Sequence, residues 1–253
     1  MRIYDMLEHT FIHLPNFGPA RERKLWSAGI LTWDDYLDQF ASSPYHGQQC
    51  SIIASSKYAL KNLDGSHFAR TMPSNEMWRC FPHYRKIAYL DIETTGCTSN
   101  DYITVIGVYD GKKTHSYVKG KNLGQFARDI KKFDMVATFN GSLFDLPFIR
   151  REMDAELPAL HIDLRFLLAS LNMTGGLKRI EQKFGLERED DLQGLTGYDA
   201  VLMWRRYRKY HDRGELDRLV RYNAADVCNL ETLLNWAYKE KRKGTGIDQF
   251  AVS

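Results

Sequence analysis

The segment that most limits what this chain can become is IAYLDIETTG, Ile87 to Gly96. Ile87 to Leu90 and Ile92 make an apolar run of strand length, which folds as a strand buried in a sheet. Asp91 and Glu93 are set into its far end. Residues two apart in a strand leave the same face, so the two carboxylates share one site while Leu90 and Ile92 point to the other side. Placing two like charges against apolar surface costs heavily in desolvation and repulsion unless a cation lies between them. Oxygen-only ligands suit a hard divalent ion such as Mg²⁺ or Mn²⁺, and the absence of neighbouring His or Cys argues against zinc. Thr94, Thr95 and Gly96 then let the backbone turn away and leave room for a substrate. The plainer alternative is a solvated strand end with incidental acids.

Around this strand the pattern is that of a mixed α/β sheet. DYITVIGVY (Asp101 to Tyr109) and THSYV (Thr114 to Val118) read as two further strands, with Asp110-Gly111 as the hairpin turn between them. Leu123, Phe126, Ala127, Ile130 and Phe133 recur at helical spacing and lead to MVATF (Met135 to Phe139), a fourth strand reached by a crossover helix. Helices are expected at Phe144 to Glu152, Leu164 to Leu171, Leu177 to Phe184, Ala200 to Tyr210 and about Leu216 to Lys239. Residues 1 to 80 hold short helical patterns broken by LPNFGP and ASSPYHG, a small all-helical unit. The expected division is therefore a helical unit over 1–80, an α/β domain over 81–243 and a tail over 244–253.

Two more segments carry acids. In FNGSLFDLPFIRR (Phe139 to Arg151) the fourth strand ends at Asn140-Gly141 and a helix begins near Asp145. A carboxylate in a first helical turn is also explained by the helix dipole, and Asn140 by its turn. Both nonetheless lie at the carboxyl end of a strand, where ligands of open α/β sheets gather. In RYNAADVCNLETLL (Arg221 to Leu234), Tyr222 and Asp226 are four apart on one helical face, which is also a commonplace of helix surfaces.

Taken together, LDIETTG, FNGSLFDLPFIRR and YNAAD resemble the three exonuclease motifs of the DEDD superfamily in its Tyr-containing branch. The arrangement from about Lys86 to Lys239 is similar to ribonuclease-H-like exonuclease domains of the YprB type and to family-B polymerase proofreading domains. GGLKRIEQKFGL (Gly175 to Leu186) resembles the linking segment of YprB-like proteins. The histidine branch would place His five residues before the last Asp; that position is Arg221, and Tyr222 stands four before. The resemblance implies a ribonuclease-H-like fold and 3′-to-5′ hydrolysis of a nucleic acid with two divalent cations, Mg²⁺ or Mn²⁺, roughly 3.5 to 4 Å apart. It implies that Asp91, Glu93 and Asp226 bind one ion, that Asp91 with Asp145 serves the other, and that Tyr222 orients the attacking water. Single-stranded DNA is the expected substrate, in repair or recombination. An exoribonuclease and a silent nucleic-acid-binding module stand as alternatives. LDIETT also superficially matches an aspartyl-phosphate motif, but Glu93 stands where that chemistry needs Asp.

Other features bear on partners. His13 to Leu37 resembles one helix-hairpin-helix, with Phe17-Gly18-Pro19-Ala20 as the hairpin; Gly18 there could offer backbone N–H groups to a phosphate, or the unit could contact a protein partner. In WRRYRKYHDR, Arg205, Arg206 and Arg208 interleave with Trp204, Tyr207 and Tyr210, either a strand-binding face or an amphipathic helix with a solvated basic side. Phe144, beside Asp145, either stacks on a terminal base or serves the core. Four cysteines far apart form no metal or redox motif. A net charge of +3 is compatible with a phosphate-rich partner without requiring one. With no membrane-length apolar run and no signal-like N-terminus, a soluble, cytoplasmic protein without membrane contact is expected.

Overall fold

A computed structural model describes residues 6–81 and 83–250. The chain divides into two compact units. One comprises residues 1–85, 159–161 and 235–253, and the other residues 86–158 and 162–234. Each draws on segments far apart in sequence, so this partition differs from the expected 1–80, 81–243 and 244–253. Among the described residues no helix is long and apolar enough to cross a membrane.

The first unit is helical. It contains α1 (Pro19–Ser27), α2 (Trp33–Phe40), α3 (Gly47–Lys61), α4 (Gly65–Thr71) and a 3₁₀ stretch, Ser74–Cys80. Aromatic side chains fill it: Phe11, Trp26, Trp33, Tyr36, Phe68 and Trp78 are all buried, and the Trp33 and Phe68 rings stack at 6.2 Å. These indole N–H groups all find acceptors, Trp33 Nε1 donating to Thr10 O at 2.7 Å, Trp26 Nε1 to His9 O at 3.0 Å and Trp78 Nε1 to Glu76 Oε2 at 3.1 Å. The expected hairpin at Phe17 to Ala20 falls elsewhere. Residues 6–17 run in turns rather than a helix, and Gly18 is the extended N-cap of α1. The link between two helices lies after α1, where Gly29 takes φ 83° and Thr32 with Asp35 forms a capping box on α2. A hairpin at Phe17-Gly18-Pro19-Ala20 is the natural sequence expectation because Gly-Pro punctuates both turns and helix starts.

A buried ion pair knots this unit. Glu22 and Arg79 are almost wholly buried, with Arg79 Nη1 3.0 Å from Glu22 Oε2. The Phe11 N–H and the Thr10 hydroxyl also donate to Glu22, at 2.7 and 3.0 Å. The described residues up to 250 also pack into this unit: α10 (below) continues to Thr245, Ile247 is buried, and Phe250 lies 6.4 Å from Trp26.

The second unit is built on β1 (Ile87–Thr94), β2 (Ile103–Tyr109), β3 (Thr114–Val118) and β4 (Met135–Thr138). A short strand, β5 (Leu160–Asp163), completes the order β3-β2-β1-β4-β5. β1 pairs antiparallel with β2 and parallel with β4. The helices are α5 (Phe126–Asp129), flanked by 3₁₀ turns, α6 (Asp145–Glu152), α7 (Leu164–Ala169), α8 (Leu177–Lys183), α9 (Gly197–Tyr210) and α10 (Arg213–Thr245), the last continuing into the residues of the first unit. Period-two alternation sorts the two faces. Leu90 and Ile92 join Ile106, Phe126, Phe148 and Ile149 in one core, while Val105 joins Trp204, Leu219 and Tyr222 in another. Asp91 and Glu93 pair with Gly107 and Val105, so they belong to the face on which α9 and α10 pack. The mixed sheet flanked by helices, with a helical N-terminus, is the expected α/β architecture.

Removing one partner of a buried ion pair leaves an uncompensated charge, at a cost of about 3–5 kcal/mol. Arg79→Met is expected to destabilise the chain by that order in urea denaturation.

Candidate metal centre

Each acid reaches the site on a different piece of secondary structure. Asp91 and Glu93 stand at the carboxyl end of β1, immediately before a bulge between Glu93 and Thr94. Asp145 opens α6, and its Oδ1 accepts the Ile92 N–H at 3.0 Å, tying the helix start to the central strand. Asp226 comes from the buried face of α10, with Tyr222 one turn before it and Asn223 between them. One carboxylate oxygen from each of Asp91, Glu93 and Asp226 lies within 4.8 Å of the others. Asp145 is outside that trio, but after burial its charge is the largest influence holding the Asp91 carboxyl up.

Packing of α10 against β1 depends on a missing side chain. The Asn223 amide donates to Asp91 Oδ2 at 2.9 Å and to the Asp91 carbonyl at 3.3 Å. It can do so because residue 107, opposite Asp91, is glycine: a Cβ there would meet Asn223 Oδ1 at 2.1 Å. Gly96 has a similar cause, since a Cβ would meet the Asp101 carboxylate at 2.6 Å. Asp101 in turn accepts the Thr95 hydroxyl at 2.8 Å and the Thr98 N–H at 2.8 Å.

All four acids and Tyr222 line a single cleft of about 360 Å³, together with Thr94, Gly96, Cys97, Asn140, Phe144 and Tyr198. Of the residues read as substrate contacts, Thr94, Gly96, Asn140 and Phe144 are therefore in the cleft wall. Thr95 is not part of that wall, its hydroxyl being held by Asp101. Phe144 packs 4.9 Å from Phe148. Asn140 takes φ 70° and presents its Oδ1 to Arg165 Nη1 at 2.5 Å. The basic residues Arg205, Arg206 and Arg208 are exposed on α9, the helix that also contributes Tyr198 and Val201 to this wall, and Arg206 pairs with Glu215 at 2.9 Å. Trp204 is buried and Tyr207 half-buried, so of the interleaved aromatics Tyr210 stands exposed beside the basic side of α9.

Burial and mutual repulsion act together on the acids. Asp91 is held well above the usual carboxylate range by burial, then by Asp145, Asp226 and Glu93. Glu93 is also well above it, by burial and then Asp226. Burial pushes Asp145 up to about 7, against its backbone hydrogen bonds. Asp226 is raised by burial, although Arg188 works in the opposite direction.

Two cations missed in the sequence accompany the acids. Arg188 Nη2 reaches Asp226 Oδ1 at 2.5 Å, while its Nε and Nη2 bind Glu181 at 2.6 to 3.0 Å; Asn229 adds a 2.9 Å bond to Glu181. Lys178, in the first turn of α8, donates to the Tyr222 phenol oxygen and lies over its ring. Burial depresses Lys178, with Asp226 and Glu93 opposing that shift. Burial and the neighbouring carboxylates hold the Tyr222 phenol above its ordinary value. In sequence these cations stand within Gly175 to Arg188, where alternating charge reads as a solvated helix. Only the fold shows them turned inward.

The donor set fits a hard divalent cation: carboxylate oxygens of the buried Glu93 and Asp226 and the half-buried Asp91 converge, repel one another, and are incompletely neutralised by Arg188 and Lys178. Residues 88–238 match RNase_H_2, a family of the RNase_H superfamily. This chain belongs to that superfamily. Membership points to nuclease chemistry, nucleic-acid binding and the use of divalent metal ions. Among solved structures, the family B DNA polymerase from the hyperthermophilic archaeon Pyrobaculum calidifontis is similar at 14% identity and TM-score 0.44, over 61% of this chain and 24% of the polymerase. The superfamily chain thus spans about a quarter of that polymerase's length. No curated protein matches.

Asp145 is protonated in the folded state up to about pH 7 but has an ordinary value of 3.8. Between these values the folded chain binds more protons than the unfolded one, so stability is greatest at the acid end and falls as pH rises. In EDTA, the melting temperature of Asp145→Asn is expected to decline less steeply than wild type from about pH 4 to about pH 7. Arg188→Met, which strands Glu181 and Asp226, is expected to cost about 3–5 kcal/mol in metal-free urea titrations.

Proposed function

We propose that this chain is a metal-dependent 3′-to-5′ exonuclease acting on single-stranded DNA. The observation that carries the reading is the convergence of Asp91, Glu93 and Asp226 oxygens within 4.8 Å, in a cleft shared with Asp145 and Tyr222. In this reading Asp91, Glu93 and Asp226 hold one cation, and Asp91 with Asp145 holds a second, Mg²⁺ or Mn²⁺. When bound there, such ions would supply activation of an attacking water and neutralisation of charge on the leaving 3′ oxygen.

The chain's own residues do the positioning. Asn223 fixes one Asp91 oxygen and Arg188 one Asp226 oxygen, which leaves the second oxygen of each for a ligand. Lys178 donates to the Tyr222 oxygen, so the phenol proton is the group Tyr222 can direct toward water or a phosphate oxygen. Among the described residues the cleft wall holds Thr94 and Cys97 but no serine or histidine, and hydrolysis by bound water requires no protein nucleophile.

The test is a polarity assay with 3′- and 5′-labelled DNA and RNA oligonucleotides in Mg²⁺ or Mn²⁺. Stepwise loss from the 3′ end of DNA, abolished by EDTA and by Asp91→Ala or Asp226→Ala, is expected. Preferential trimming of RNA would reassign the substrate. Binding without hydrolysis under either metal, or near-wild-type cleavage by either variant, would overturn the enzyme reading.

A further inference from the structure

Large apolar side chains exposed at the surface return no burial energy to the fold, and their clustering beside a reactive cleft marks a binding surface. Tyr198 is 65% exposed, although it lines the cleft that holds the four acids. Its backbone is fixed: Thr196 and Asp199 form a capping box at the start of α9, with Thr196 N donating to Asp199 Oδ2 at 2.8 Å. The ring is therefore presented by a rigid helix start, and its burial waits on something outside the chain.

Asn140 marks another part of the cleft wall. Leu143, 64% exposed, closes the turn that begins there, its N–H donating to the Asn140 carbonyl at 3.1 Å. Arg165 holds the Asn140 side chain and is followed by Phe166, 52% exposed, with the guanidinium carbon 6.0 Å from the Phe166 ring centroid. No carboxylate pairs with the Arg165 guanidinium among the described residues, so its remaining donors are available. Aromatic faces next to an unpaired guanidinium suit a single strand, whose bases stack while its phosphates take the charge.

We infer that Tyr198 is the stacking platform for an unpaired base at a 3′ end, and that Arg165 binds a phosphate of the same strand as it leaves the cleft along Phe166. This rests on the nuclease reading above and adds the residues that would recognise the strand's unpaired end. A base already paired and stacked in a blunt duplex has no free face to offer Tyr198, so an unpaired terminus is selected by contact with its π-face rather than by sequence.

The full-length chain is tested with an oligonucleotide carrying 2-aminopurine at its 3′ terminus. In Ca²⁺, which replaces the catalytic ion to slow turnover, the wild type is expected to change the fluorescence on binding, and Tyr198→Ala to weaken binding about tenfold. Tyr198→Phe, which keeps the ring, is expected to restore both. In Mg²⁺ the loss in Tyr198→Ala should fall on KM more than kcat, and the preference for single-stranded over blunt-ended substrate should shrink by a similar factor. Arg165→Gln is expected to lower the slope of log affinity against log salt by about 0.7, one phosphate contact on a single strand. Unchanged fluorescence and KM in a folded Tyr198→Ala would overturn the platform while leaving the exonuclease intact. A wild type that shows the Tyr198-dependent fluorescence but never cleaves would overturn the nuclease and support the platform; one that shows neither overturns both.

Discussion

Everything in the second unit is arranged around an unfavourable act, the burial of like charges at the carboxyl end of one strand. Glu93, Asp145 and Asp226 are each less than a tenth exposed, and Asp91 sits among them. Left unscreened, such a group cannot remain ionised, which is why burial drives all four carboxyls upward. The fold tolerates the strain by local compensation. Asn223 holds Asp91, the Ile92 amide holds Asp145, and the Arg188 guanidinium stands between Asp226 and Glu181. What remains uncompensated is negative and faces a cleft, the condition in which binding a divalent cation stabilises the fold as well as serving chemistry.

The first unit meets the same physics with the opposite outcome. Glu22 is as buried as any of the site acids, and burial raises it too, but Arg79, Thr10 and the Phe11 amide satisfy it at close range. It is 1% exposed, and its charge is matched by Arg79 rather than by an ion. A buried carboxylate is therefore not in itself a functional mark; the difference is whether the surrounding chain supplies the full set of donors or withholds some of them.

How far the sequence disclosed this arrangement depended on whether a residue's role was local. β1 to β4 follow from apolar runs bounded by turn residues, and the three acid-bearing segments stand out because an acid at the end of a buried strand is conspicuous. β5 was missed because LHID is four residues with one polar interruption, next to Pro158 and too short for periodicity to register. Glu181, Arg188, Glu22 and Arg79 were missed for a different reason. Glu181, Arg188 and Glu22 lie in stretches rich in other charges, whose inward- and outward-facing members look alike until tertiary contacts select one; Arg79 stands in a charge-poor stretch, and its partner Glu22 is 57 positions away. Asn223 and Gly107 are legible only as a pair, across 116 positions, because the glycine's meaning is the asparagine that fills its space. Gly18 misled in the reverse sense, its Gly-Pro step opening a helix where a hinge between two helices was read.

The irregularity in pairing between Glu93 and Thr94 has a bearing on how this architecture can vary. In a regular ladder, adding or removing one residue inverts every side chain downstream. Here the ladder is already broken just past the second acid, so the connection that follows, from 95 to 102, is out of phase with the strand that carries Asp91 and Glu93. Insertions and deletions in that connection can be absorbed at the break, and the rim of the cleft is thereby free to be remodelled for different ligands while the two acids keep their orientation.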